Sequence, residues 1–140
     1  MPVYAWTSQE GTFSQDQKNS LARAVTDIHC GATGAPRNFV RVIFNTYQEG
    51  SGFLAETPSA TVFLLCYIRA GRNMETKHSM LKQLNDAAVK IGGISSDALA
   101  IILEEIPTGN GMEFGVILPG TTPEEEKQWL KAQARSRRSH

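Results

Sequence analysis

Apolar residues along this chain switch between a spacing of two and a spacing of three to four, and the switches mark out strands and helices. A first strand is predicted from about Pro2 to Thr7, where Val3-Tyr4-Ala5-Trp6 opens an apolar run. A helix opens at Ser14, because Ser14 and Gln17 fit an S-x-x-Q capping box. Its apolar stripe is Leu21, Val25 and Ile28, and Gly31, Gly34 and Pro36 end it. A second strand follows over Phe39–Phe44, and a glycine-rich loop through Gly50 and Gly52 leads away.

The second half repeats the plan. Thr61–Ile68 is a continuous apolar strand, the kind that helices cover on at least one face. Asn73 is an N-cap for a helix carrying Leu81, Leu84, Ala88 and Ile91, which Gly92-Gly93 stops. Ala98–Leu103 is the fourth strand. The spacing from Pro2 to Ser14 is 12 residues, as is that from Thr61 to Asn73; Pro2 to Phe39 and Thr61 to Ala98 are both 37. Residue identity between the halves is poor, so the repeat is one of architecture.

Each half reads as strand, helix, strand, with a crossover long enough for a parallel pair. The expected fold is α/β (α+β): two tandem β-α-β units, about 2–47 and 61–106, forming a four-stranded sheet with two helices on one face. A C-terminal segment, 107–140, completes a single expected domain. The sheet's other face is left bare, which favours association with further copies.

Composition narrows the partners. With 140 residues, 41% of them hydrophobic, the chain can bury an ordinary core. Fourteen basic and fourteen acidic residues cancel, which argues against nucleic acid or an anionic membrane as the main partner. No apolar run approaches the ~20 residues of a membrane span. The only cysteines, Cys30 and Cys66, lack the spacing of a zinc site or a disulfide framework, so reduced thiols and a cytoplasmic location are expected. The basic run Arg135-Ser136-Arg137-Arg138 reads as a solvated, frayed terminus.

The candidate chemistry starts at Pro2. Methionine is normally trimmed before a small second residue, and loss of Met1 would leave a free secondary amine at the mouth of a strand; proline also opens strands for conformational reasons alone. Arg69 and Arg72 flank the turn between the third strand and its helix, where guanidinium groups beside helix N-terminal amides suit a carboxylate or phosphate. As solvated loop arginines they would mean nothing. His29 follows Ile28 near a helix end, as a dipole partner, a packing residue or a functional group. His78, between Lys77 and Ser79, reads as surface, and Glu113 sits between apolar residues and glycines as a partly shielded acid.

Together these residues resemble the tautomerase superfamily, and more closely the cis-3-chloroacrylic acid dehalogenase group, from Pro2 to about Pro119. The matching stretches are Pro2-Val3-Tyr4, Thr26-Asp27-Ile28-His29 with Gly31 and Thr33-Gly34, Arg69-Ala70-Gly71-Arg72, and Met112-Glu113-Phe114-Gly115 with Leu118-Pro119. The resemblance implies a homotrimer, no cofactor, and a small-molecule carboxylate substrate such as an enol or 2-keto acid. It implies Pro2 as the proton-transfer group, His29, Arg69 and Arg72 as the residues that hold and polarise the carboxylate, and Glu113 as the carboxylate that activates water in hydrolytic members. Those members also carry a tyrosine in the fourth strand, and the matching position here is Ile102, an aliphatic group that cannot orient water. The readings in order are therefore a tautomerase, a 3-substituted acrylate hydratase or dehalogenase (with 3-oxo acid decarboxylation as a variant), and a non-catalytic binding protein of the same fold.

Overall fold

The computed structural model describes residues 1–120 and 122–138, with side chains as far as Arg135. In chain order it contains β1 (Val3–Gln9), α1 (Gln15–Thr33), a 3-10 turn at Arg37–Phe39, β2 (Arg41–Tyr47) and a small hairpin of β3 (Phe53–Leu54) and β4 (Thr57–Pro58). There follow β5 (Val62–Arg69), α2 (Met74–Lys90), a 3-10 turn at Ser96–Ala98, β6 (Leu99–Ile106), a second hairpin of β7 (Met112–Glu113) and β8 (Val116–Ile117), and α3 (Pro123–Arg138).

Local chemistry accounts for the helix ends. Ser14 Oγ accepts from the Gln17 amide while the Gln17 side chain accepts from the Ser14 amide, a complete capping box. Asn73 caps α2 through Thr76 N–H. Gly31 does not end α1, which runs on to Thr33; the stop is Gly34, at φ 74° in the left-handed region that glycine enters without a Cβ penalty. The buried stripe of α1 is Leu21, Val25 and His29, at a strict spacing of four, with Ile28 only partly buried beside it. Phe39 is not the start of a strand but the end of the 3-10 turn, and β2 begins two residues later.

The four long strands form one sheet in the order β2-β1-β5-β6. Each β-α-β unit contributes a parallel pair, and the central β1/β5 pair is antiparallel. Its register sets Val3 opposite Tyr67, so the chain's first residues come level with Ile68 and Arg69 at the far end of β5. Both helices cover one face, where Tyr4, Trp6, Leu21, Leu64 and Leu84 are fully buried. The opposite face keeps Ile43 and Ile102 more than half exposed and Phe63 at 41%.

α3 runs against expectation. Thr122 Oγ1 accepts from Glu125 N–H, Pro123 takes the first helical position, and Glu124, Glu125 and Glu126 occupy the dipole's positive end. Trp129 is buried with Phe39 and Leu118 in a second apolar cluster, against which Met1, Ile106 and Phe114 pack. Arg135 to Arg138 therefore continue a docked helix rather than fray. Removing a side chain as large as Trp129 from such a cluster typically costs about 3–5 kcal/mol, so the cluster holds α3 in place.

Candidate active site

The antiparallel register of β1 and β5 builds the site at one end of the sheet. Pro2 is buried, and its carbonyl accepts from Arg41 N–H at 3.1 Å, which pins the chain start to β2. The ammonium of Met1 donates to Glu113 Oε1, and Arg41 Nε donates to Glu113 Oε2 at 3.1 Å. Burial pushes that ammonium below its ordinary pKa, the hydrogen bond and charge of Glu113 oppose the shift, and Arg41 and Arg69 add to it.

Glu113 is only 6% exposed, and the geometry of its hairpin explains how it is aimed. The two-residue turn after it, Phe114-Gly115, has φ of 55° and 74°, both positive as the favoured hairpin turns demand. A non-glycine in that region is strained. Here it turns the Phe114 ring towards Phe39, 5.9 Å between centroids, and under the Arg41 guanidinium.

His29 is 3% exposed, and its Nδ1 lies 2.8 Å from the Tyr4 hydroxyl. Burial, aided by the charges of Arg72 and the N-terminus, lowers its pKa to about 4, so it is neutral at pH 7. Burial raises the Tyr4 phenol, so that group also keeps its proton.

His29, Arg69, Arg72, Met1, Glu126 and Trp129 line a cavity of about 260 Å³. A shallow groove of about 560 Å³ beside Val116 and Lys131 is larger but holds none of the predicted site residues. The two arginines differ. Arg69, its side chain 11% exposed, donates to Glu126 Oε1 at 2.7 Å and to the Gly120 carbonyl at 3.1 Å, with its guanidinium 4.9 Å from the Trp129 ring centre. Arg72 has no ion-pair partner among the described residues. Amides near these arginines are engaged within the protein: Gly71 N–H in the turn donates to Glu105, which also holds Lys77, and Thr76 N–H at the start of α2 donates to Asn73 Oδ1.

Thus His29, Arg69 and Arg72 line one cavity together with Met1, whose ammonium is held by Glu113, while Pro2, the next residue, is buried and not part of the lining. His78 is exposed, and Ile102, 57% exposed, lies on the bare face opposite Leu65, midway along the sheet. Within one protomer Ile102 does not reach the cavity. Tyr4, Arg41, Glu126 and Trp129 join the site without having been foreseen. A signal for the last two exists in Thr122-Pro123-Glu124-Glu125, a helix-start pattern with a T-x-x-E spacing. No group of three or more potential metal ligands occurs among the described residues. No helix among them is long and apolar enough to cross a membrane.

The sequence matches a family model described as "Putative oxalocrotonate tautomerase enzyme" over residues 1–134. Among solved structures, N1, a member of the cis-3-chloroacrylic acid dehalogenase family, is 28% identical with a TM-score of 0.85, covering 97% of this chain and 96% of that one. Native Ps01740 is 33% identical with a TM-score of 0.78, covering 79% of this chain and 99% of its own. A fused 4-OT solved as a symmetric trimer shares the fold at a TM-score of 0.72 and 24% identity, covering 79% and 90% of the two chains. No curated protein matches the chain.

Proposed function

The chain belongs to the oxalocrotonate tautomerase family, and we propose that it is a cofactor-independent tautomerase acting on small carboxylates such as enol and 2-keto acids. Its proton carrier is the secondary amine of Pro2, exposed when Met1 is removed. The observation that carries this reading is that Met1, the residue bonded to the Pro2 nitrogen, lines a cavity that also holds His29, Arg69 and Arg72, with Glu113 beside the chain start.

In such a site an enol loses its hydroxyl proton and gains one at the adjacent carbon, so the protein has only to carry a proton and steady the charge. Arg72 holds the carboxylate. In this reading the Tyr4 hydroxyl, 2.8 Å from His29 Nδ1, is the donor of that contact, so the Nε2–H tautomer is the one that polarises the substrate's oxygen. Burial and the arginines favour a neutral Pro2 that can accept the proton, while Glu113 steadies the prolinium formed when it does. The bare sheet face around Ile43 and Ile102 supports a homotrimer, the state in which the fused 4-OT neighbour was solved.

The likeness to N1 supports a second reading, dehalogenation or hydration of 3-substituted acrylates. It is the weaker one. Water addition needs a positioned nucleophile, yet Glu113 is already engaged by Arg41, and Ile102 offers no hydrogen bond. The test is ketonisation of an aryl enolpyruvate. Removing a positioned acid–base group typically costs about 10²–10⁴-fold, so Pro2→Ala should lose at least about a hundredfold in kcat/KM. Equal rates for the two proteins would refute the proposal.

A further inference from the structure

From the arrangement of α3 over the cavity we infer that Glu126 restricts the site to substrates bearing a single carboxylate. The inference rests on the carboxylate-binding role given above to Arg72, and it narrows the substrate class. Among the described residues, Arg69, Arg72 and Glu126 are the side chains that carry the cavity's fixed charge besides the Met1 amine. Glu126 neutralises Arg69 at 2.7 Å. The remaining donors of Arg69 are partly occupied by Gly120 O, and Trp129 covers its face. Glu113 pairs with the Met1 ammonium and with Arg41, and once Met1 is removed the neutral Pro2 amine adds no charge. Among the described residues that line the cavity, Arg72 is left as the uncompensated cation to meet one anion.

One side of the wall suits an apolar substrate body, since Trp129, Leu130, Phe39 and Ile68 line it, while His29, Thr33 and the Gly34-Ala35-Pro36 segment make the other side polar. In this space of about 260 Å³ a second carboxylate drawn to Arg69 would lie beside the Glu126 carboxylate, and one held against Trp129 and Leu130 would be stripped of water. Either position is unfavourable, by like-charge repulsion in the first case and by loss of hydration in the second. Arg69 is therefore a residue that holds α3 in position, and Glu126 is the residue that determines specificity.

The test is binding of matched anions to the Met1-free protein, measured by calorimetry: crotonate, with one carboxylate, against fumarate, with the same carbon skeleton and two. Because Glu126 is partly exposed, the repulsion is screened, and fumarate should bind about tenfold more weakly than crotonate. Monomethyl fumarate, which keeps the skeleton but removes one charge, should recover most of that loss without any change to the protein. Glu126→Gln should narrow the crotonate-to-fumarate ratio to within about threefold, whereas Glu124→Gln, the same charge change in the same helical turn, should leave it as in the wild type. Equal binding of fumarate and crotonate by the wild-type protein, or a ratio that Glu126→Gln leaves unchanged, would overturn the inference while the tautomerase proposal stood. Failure of both anions to bind would overturn the two together.

Discussion

The Tyr4 hydroxyl meets His29 Nδ1 at 2.8 Å inside the protein, with the two rings edge to face. Tyr4 lies two residues from Pro2 on β1, and His29 closes the buried stripe of α1. The contact therefore joins the proposed proton carrier's strand to the proposed carboxylate-polarising group, and it fixes which imidazole nitrogen is left for the substrate.

Tyr4→Phe removes that hydroxyl and leaves His29 free to change tautomer. The expected loss is about 1–2 kcal/mol of stability and roughly tenfold in kcat/KM. Nitrogen NMR of the imidazole should show the Nε2-protonated tautomer in the wild type and a mixture in the variant. An unchanged tautomer in Tyr4→Phe would show that something else orients the ring.

Stability should depend on pH through His29. Its folded pKa, about 4, lies below its ordinary value of 6.5, so between these limits the unfolded chain binds a proton that the folded protein refuses. The contribution is complete above pH 6.5, falls as the pH drops towards 4 and is constant below that, amounting to about 3 kcal/mol. Denaturation midpoints measured from pH 7 to 4 should fall accordingly, and His29→Gln should flatten the curve. A wild-type curve as flat as the variant's would contradict the burial argument.

The arginines should separate in their effects. Arg72→Ala should lower kcat/KM by roughly 10–100-fold with the melting temperature little changed, since it removes a charge-assisted contact to substrate. Arg69→Ala should also lower the melting temperature by about 2–6 °C, because Glu126 and Trp129 on α3 lose their partner. Indistinguishable melting curves for the two variants would contradict the role given to Arg69.

What the sequence discloses here is what is written locally. Ser14 and Gln17, Asn73, and the apolar stripes of both halves sit within a few residues of the partners that make them meaningful, so the two β-α-β units were legible. Strand order was not, because the β1/β5 pairing joins Val3 to Tyr67 across most of both units. The hairpins at Phe53–Pro58 and Met112–Ile117 have strands of two residues, too short to show a period. α3 was hidden by its own polarity: three glutamates and a basic end read as solvated chain, although Thr122 and Pro123 announce a helix start. The roles of Tyr4 and Glu126 depend on contacts across 25 and 57 residues, and nothing local marks them.

Assembly can be checked at Ile102. A charge placed on the bare sheet face by Ile102→Asp should shift sedimentation from a trimer towards smaller species while circular dichroism remains that of the folded protomer. A monomeric wild-type protein at micromolar concentration would remove the basis for the trimer.

The most direct measurement concerns the amine itself. Two preparations, verified by intact mass, would be compared in the enolpyruvate assay: one with Met1 removed, the other carrying an uncleavable residue before Pro2. In the second form the Pro2 nitrogen is an amide without basicity, so activity should fall by about a hundredfold or more while the melting temperature stays close to that of the first. Equal activity in the two forms would contradict catalysis by a prolyl amine.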